Sequence, residues 1–67
     1  ANLDWASSIT YEDIRKTYSE RRFITLVRLD GRLHVVCYDL ITDGIRVISF
    51  RKANKREERS YESRTIN

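Results

Sequence analysis

Proline is absent from this 67-residue chain, glycine occurs twice, and cysteine and histidine occur once each. Each shortage excludes something. With Cys37 alone, no internal disulfide can form. One cysteine and one histidine (His34) leave no ordinary ligand set for structural zinc. A lone thiol fits a reducing compartment, so a cytoplasmic protein is expected. No apolar run is long enough to span a membrane, and no signal-peptide pattern is present. Without proline, and with glycine only at Gly31 and Gly44, turns are confined to a few places. No linker, repeat or low-complexity tract divides the chain, so a single domain over residues 1–67 is expected. Domains this short bury only about 60% of the surface their unfolded chains expose. Disulfides and metals being excluded, association is the remaining source of stability.

What the chain does have is uneven charge. The net charge is +3, yet residues 46–64 hold seven Lys/Arg against three acids, a balance of +4 on a body of −1. A basic end on a near-neutral body points to a polyanionic partner. The same residues also read as a solvated helix laced with i,i+4 charge pairs.

Asp30-Gly31 separates two runs rich in Val, Ile, Thr, Phe and Tyr. A two-residue Asp-Gly loop favours a type I′ turn between antiparallel strands. The reading is a hairpin of Phe23–Leu29 and Arg32–Tyr38, then a short polar connector over Asp39–Gly44 and a further strand over Ile45–Phe50. An earlier strand is placed around Trp5–Tyr11, followed by a loop, because "YEDIRKTYSE" lacks a clean apolar stripe. Asn54 is a good helix N-cap, with Glu57 at the reciprocal capping-box position. Glu57 and Glu58 sit at the positive end of the helix dipole, and Arg59 and Arg64 come late, where cations are favoured. A helix should therefore start near Lys55. Its apolar inventory is Tyr61 and Ile66, so it must dock through them or lean on a partner.

The segments "SERRFITLVRLDGRLHVVCYD" and "IRVISFRKANKREERSYE" resemble the BrnT toxins, the ribonuclease half of a bacterial type II toxin–antitoxin pair. The likeness runs from about Trp5 to Glu62. It implies an α+β, RelE-like fold: an antiparallel four-stranded sheet with a short C-terminal helix. It also implies a metal-independent endoribonuclease without cofactors that inhibits translation, with RNA as substrate and a BrnA-like ribbon-helix-helix antitoxin as partner. Two departures stand out. The family carries two helices before the first strand, with a Lys-His-Gly element that has no counterpart here, so the domain reads as N-terminally truncated. The family also tends to have Ala where Phe50 stands and a Gly-Asp loop where this chain has "LITDG". Without those helices one sheet face must be covered by another chain, as in a homo- or hetero-oligomer, or this sequence is only part of the gene product.

Metal-free cleavage requires proton transfer at the 2′- and 5′-oxygens and stabilisation of charge on the phosphoryl group. Arginine suits the last role because its planar fork pairs with phosphate oxygens. Arg46, Arg51 and Lys52 are the catalytic candidates, with Ser49, Lys55, Arg56 and Arg22 as RNA contacts. Simple alternation sends Arg46 and Ser49 to opposite faces, so both can serve one site only if the strand bends or bulges. By the resemblance, Tyr61 is a further catalytic candidate that stacks on a base or assists proton transfer; docking the helix is its other reading. Glu57 reads as a cap before a base. His34 reads as structural or solvent-facing, and Trp5, Phe23, Val35 and Val47 read as core. Arg22 also has a loop reading, with Tyr18 partly packed. Two other functions fit: an inert toxin-like module that binds the antitoxin, or a small nucleic-acid-binding domain.

Overall fold

The computed structural model describes residues 3–65; the expected contribution of Ile66 lies outside them. Four strands and one helix follow in order: β1 Leu3–Glu12, β2 Arg22–Leu29, β3 Arg32–Ile41, β4 Gly44–Lys52 and α1 Lys55–Thr65. The strands form one antiparallel sheet in sequence order. The fold is α+β, a sheet with a short C-terminal helix. The β2–β3 turn has Asp30 at φ +51° and Gly31 at φ +82°, two positive values in a row, as type I′ requires. Gly31 is there because a side chain at that angle would be strained.

Three expected boundaries change. β1 and β4 are longer than expected. The connector over Asp39–Gly44 is mostly strand: Leu40 pairs with Ile45 and Ile41 with Gly44, leaving only Thr42-Asp43 as the turn. The exposed Leu40-Ile41 pair is thus accounted for as paired β-structure.

Residues paired across strands share a face. One face carries Ile9, Ile24, Leu26, Leu33 and Val35, and α1 lies on it. Leu26, Leu33, Val35, Ala53 and Tyr61 form the buried core, with Ile9 and Ile24 packed against it. The strand-to-helix junction is pinned where the Ala53 N–H donates to the Leu33 carbonyl at 3.0 Å. The capping box forms as its sequence implies: the Glu57 N–H donates to Asn54 Oδ1 at 2.8 Å, and the Asn54 N–H donates to Glu57 Oε1 at 2.9 Å. Tyr61, 2% exposed, sends its hydroxyl to the Ser7 carbonyl at 2.7 Å. That carbonyl is within reach because β1 bulges. Asp4 pairs with Arg28 and Ile9 with Leu26, so three extra residues leave the ladder. Side chains of Ser7 and Ser8 stitch the bulge to Asp4 and to the Trp5 carbonyl.

The opposite face has no helix. Trp5 and Val47, expected in the core, are 58% and 55% exposed, because only one face of the sheet is covered. Leu40, Ile45 and Phe50 are exposed there too. Phe50 stacks on His34 at 5.1 Å between ring centroids, and His34 is buried beneath it with Nδ1 2.8 Å from the Arg32 carbonyl. His34 is therefore a packing residue on the uncovered face.

Candidate functional site

α1 covers only the half of its sheet face nearest the β2–β3 turn. Beyond its N-terminus the face is bounded by the loop from Asp13 to Arg21, and a groove of about 260 Å³ lies between the two. Tyr11, Glu12, Asp13, Ile14, Arg15, Ile24, Val35, Arg51 and Glu57 line it. Strand register continues its floor across the sheet: Tyr11 lies opposite Ile24, Ile24 opposite Cys37, and Cys37 opposite Ser49. The floor therefore crosses all four strands between the helix start and the loop.

A second bulge decides which cations reach this face. On β4, Val47 pairs with Tyr38 and Ser49 with Cys37, so Ile48 is the extra residue. The bulge resets the alternation. Arg46 (opposite Asp39), Ser49 (opposite Cys37) and Arg51 (opposite Val35) all fall on the helix face. Simple alternation separated Arg46 from Ser49; the bulge puts them together. Lys52, the residue after Arg51, alternates to the uncovered face, opposite His34, so Lys52 does not join Arg51 in one site.

Arg51 stands at the mouth of the groove beside the helix start. Its Nη1 and Nη2 donate to the two Glu57 carboxylate oxygens at 2.8 Å each, and Nη1 also reaches the Lys52 carbonyl at 3.3 Å. A guanidinium has five N–H donors in a planar fork. Glu57 takes the terminal edge, so the Nε–H and the second Nη2–H form a two-donor edge that engages no other group among the described residues. Glu57 thus serves twice, as helix cap and as the anchor that fixes the Arg51 plane. The Arg51 guanidinium beside Glu57 holds its carboxyl below the usual range, with the Asn54 backbone N–H adding to the effect.

Across the groove the loop is organised by a chain of ion pairs. Arg15 clasps Asp13 through Nε and Nη2, both at 2.9 Å, and the Tyr18 hydroxyl donates to the same carboxylate at 2.9 Å. Arg15 is the main reason the Asp13 carboxyl is held far below its ordinary value. Arg21 pairs with Glu12, also lowering that carboxyl. Behind them, Arg22 donates to buried Asp39 at 2.7 and 3.2 Å while stacking over the Tyr18 ring at 4.1 Å. Arg46 binds Glu20 and lies 3.8 Å from Asp39.

Not all of the expected site residues meet. Arg51 and Ser49 face the groove side, and Lys55 and Arg56 are exposed on the first turn of the helix beside it. Arg46 and Arg22 share the face but converge on Asp39 at its far end. Tyr61 takes its packing reading: buried in the core, it presents no ring to the groove. Sequence reasoning passed over Tyr11, Ile14 and Arg15, which the loop brings beside Arg51. The signal available was weak, an aromatic followed by two acids, an isoleucine and two bases without periodicity. Among the described residues, no three His, Cys, Asp or Glu side chains converge as a metal site would need, and no helix is long and apolar enough to cross a membrane.

The family described as "Ribonuclease toxin, BrnT, of type II toxin-antitoxin system" matches residues 1–57. No curated protein and no solved structure matches the chain.

Proposed function

The chain belongs to the BrnT family, ribonuclease toxins of type II toxin–antitoxin systems, and from that membership we propose that its groove cleaves RNA without a metal ion. Translation stops as a consequence, in the cytoplasm where messenger RNA is read. The observation that carries this reading is Arg51. One edge of its guanidinium is locked by Glu57, and the other is open toward a groove that crosses the sheet. A phosphate there meets a preorganised fork whose orientation needs no further ordering, which is the condition for strong transition-state stabilisation. Lys55 and Arg56, exposed beside the groove, extend the positive field along the strand of RNA.

The partner is an antitoxin of the BrnA-like ribbon-helix-helix type, supported by the family's place in two-component toxin–antitoxin pairs. The uncovered apolar face, with Trp5, Leu40, Ile45 and Val47 in water, supports a homo- or hetero-oligomer.

One observation favours a second reading, an inert module that binds the antitoxin. All three carboxylates lining the groove, Glu12, Asp13 and Glu57, are paired with arginines that depress their pKa values, which makes them poor proton acceptors. The experiment is incubation of the protein with a short single-stranded RNA in excess chelator. Cleavage to a 2′,3′-cyclic phosphate supports the metal-free ribonuclease. Cleavage only with added divalent ion removes metal independence. RNA left intact in both conditions, with antitoxin still bound, establishes the inert module.

A further inference from the structure

Tyr11 is 43% exposed and sits in the groove rather than in the core. Its surroundings are unusual for a surface tyrosine. Arg51 and Arg15 line the same groove, and the Arg64 guanidinium lies 5.9 Å from its ring centroid. Next to it in the same groove, Ile14 is 81% exposed, more than any other large apolar side chain described. An isoleucine in that position contributes nothing to the core. Its exposure beside an aromatic ring makes an apolar surface set among arginines and the carboxylates they pair with.

We propose that Tyr11 and Ile14 form the platform on which one unpaired RNA base stacks while its flanking phosphate takes the open edge of Arg51. This rests on the RNA-directed reading of the groove and adds to it the residues that seat the base. At about 260 Å³ the groove is slightly smaller than pockets that hold drug-sized ligands, which start at about 300 Å³, so it suits a single planar base. Aromatic stacking tolerates every base because each has a π face, and arginines beside the ring add a cation–π component. Strand register supplies the geometry. Tyr11 on β1 and Arg51 on β4 stand at opposite edges of the four-stranded sheet, one residue row apart along the strands, and both line the groove between them. The Asp13–Arg15 clasp, with Tyr18 behind it, holds the loop that keeps Ile14 at the rim.

The test uses a short RNA that is 2′-O-methylated throughout, and therefore not cleavable, with one 2-aminopurine base as a fluorescent stacking probe. Wild-type protein should bind it and quench the probe. Tyr11→Ala should weaken binding about tenfold, in the range expected for losing one stacked base, and should abolish quenching. Tyr11→Phe should retain both within about twofold. Ile14→Ser, a change at an exposed side chain outside the core, should weaken binding without altering the circular dichroism. Wild-type binding with an unaffected Tyr11→Ala overturns the platform and leaves the ribonuclease reading intact. A loss in Tyr11→Phe equal to that in Tyr11→Ala makes the contact a hydroxyl contact and overturns stacking. Binding and quenching by a wild type that cannot cleave unmodified RNA keeps the platform and removes the nuclease. Absence of binding by wild type overturns both.

Discussion

Arg51 is half exposed, and its pair with Glu57 is a surface pair, so removing it should cost stability no more than about 1 kcal/mol. Its effect on chemistry should be much larger. Arg51→Ala removes the open donor edge at the phosphoryl position and should slow RNA cleavage by about 10²-fold, the scale of losing one transition-state donor. Lys55→Ala should mainly lower RNA affinity and flatten its salt dependence, by about one unit of slope. Cleavage rates in chelator, with circular dichroism as the folding control, separate the two. An Arg51→Ala protein cleaving at the wild-type rate while Lys55→Ala does not would move the site along the helix. Asp39 is a different kind of residue. Arg22 holds its carboxyl below the ordinary range, and burial opposes that shift without reversing it. A depressed folded-state pKa means the contribution is complete above the unfolded value of about 4 and disappears as pH falls through the lower folded value. Urea midpoints should therefore drop as pH falls below about 4, and Asp39→Asn should be less stable at pH 7 with a shallower acid limb. An unchanged acid limb in Asp39→Asn would assign the acid sensitivity to Asp13 and Glu57 instead.

At the scale of elements, α1 is short and mostly charged, and two devices hold it. Asn54 and Glu57 cap its start, and Tyr61 locks its body to the β1 bulge. Asn54→Ala should cost about 1 kcal/mol. Tyr61→Phe should cost about 1 kcal/mol by orphaning the Ser7 carbonyl, whereas Tyr61→Ala should cost about 3–5 kcal/mol by emptying a core position. Chemical denaturation at neutral pH checks all three; a Tyr61→Ala protein as stable as wild type would mean the helix is held from elsewhere. These devices mark what could be read from residues alone. The type I′ hairpin was legible because Asp-Gly at two positive φ values has few alternatives. The capping box was legible because Asn54 and Glu57 carry their own spacing. Neither bulge was legible, since Trp5–Ser8 and Val47–Ser49 contain no glycine, and an apolar run looks the same with or without an extra residue. That single extra residue, Ile48, moved Arg46 into company with Ser49 and Arg51. The groove was hidden for the same reason: its loop wall is built from ion pairs between residues up to 26 positions apart, such as Arg46 with Glu20, which no local pattern encodes.

At the scale of the whole molecule, the two sheet faces have opposite fates. One is half covered by α1 and half left as the groove. The other carries no helix within residues 3–65; Val27, Thr25 and His34 are buried on it, but it exposes Trp5, Leu40, Ile45, Val47 and Phe50, with a shallow apolar depression among Trp5, Thr10, Thr25, Val36, Tyr38, Leu40 and Ile45. Contiguous apolar patches beyond a few hundred Å² are unusual on soluble monomers, and burial gains about 25 cal/mol for each Å² removed from water. In a chain of 67 residues with so small a core, that gain is comparable to the whole margin of stability. Association should therefore be coupled to folding, and the melting temperature should rise with protein concentration. Ile45→Lys tests the link. Ile45 is half exposed and lies opposite Leu40, so a lysine there is sterically harmless in the monomer but places a charge in the middle of the buried contact. Wild-type protein should show a mass above the monomer in light scattering at high concentration, and Ile45→Lys should shift it toward the monomer with a lower, concentration-independent melting temperature. RNA cleavage per chain should survive in whatever fraction stays folded, because the groove lies on the other face. A wild type that runs as a monomer at high concentration, with a melting temperature that ignores dilution, would show that the apolar face is stable in water without self-association.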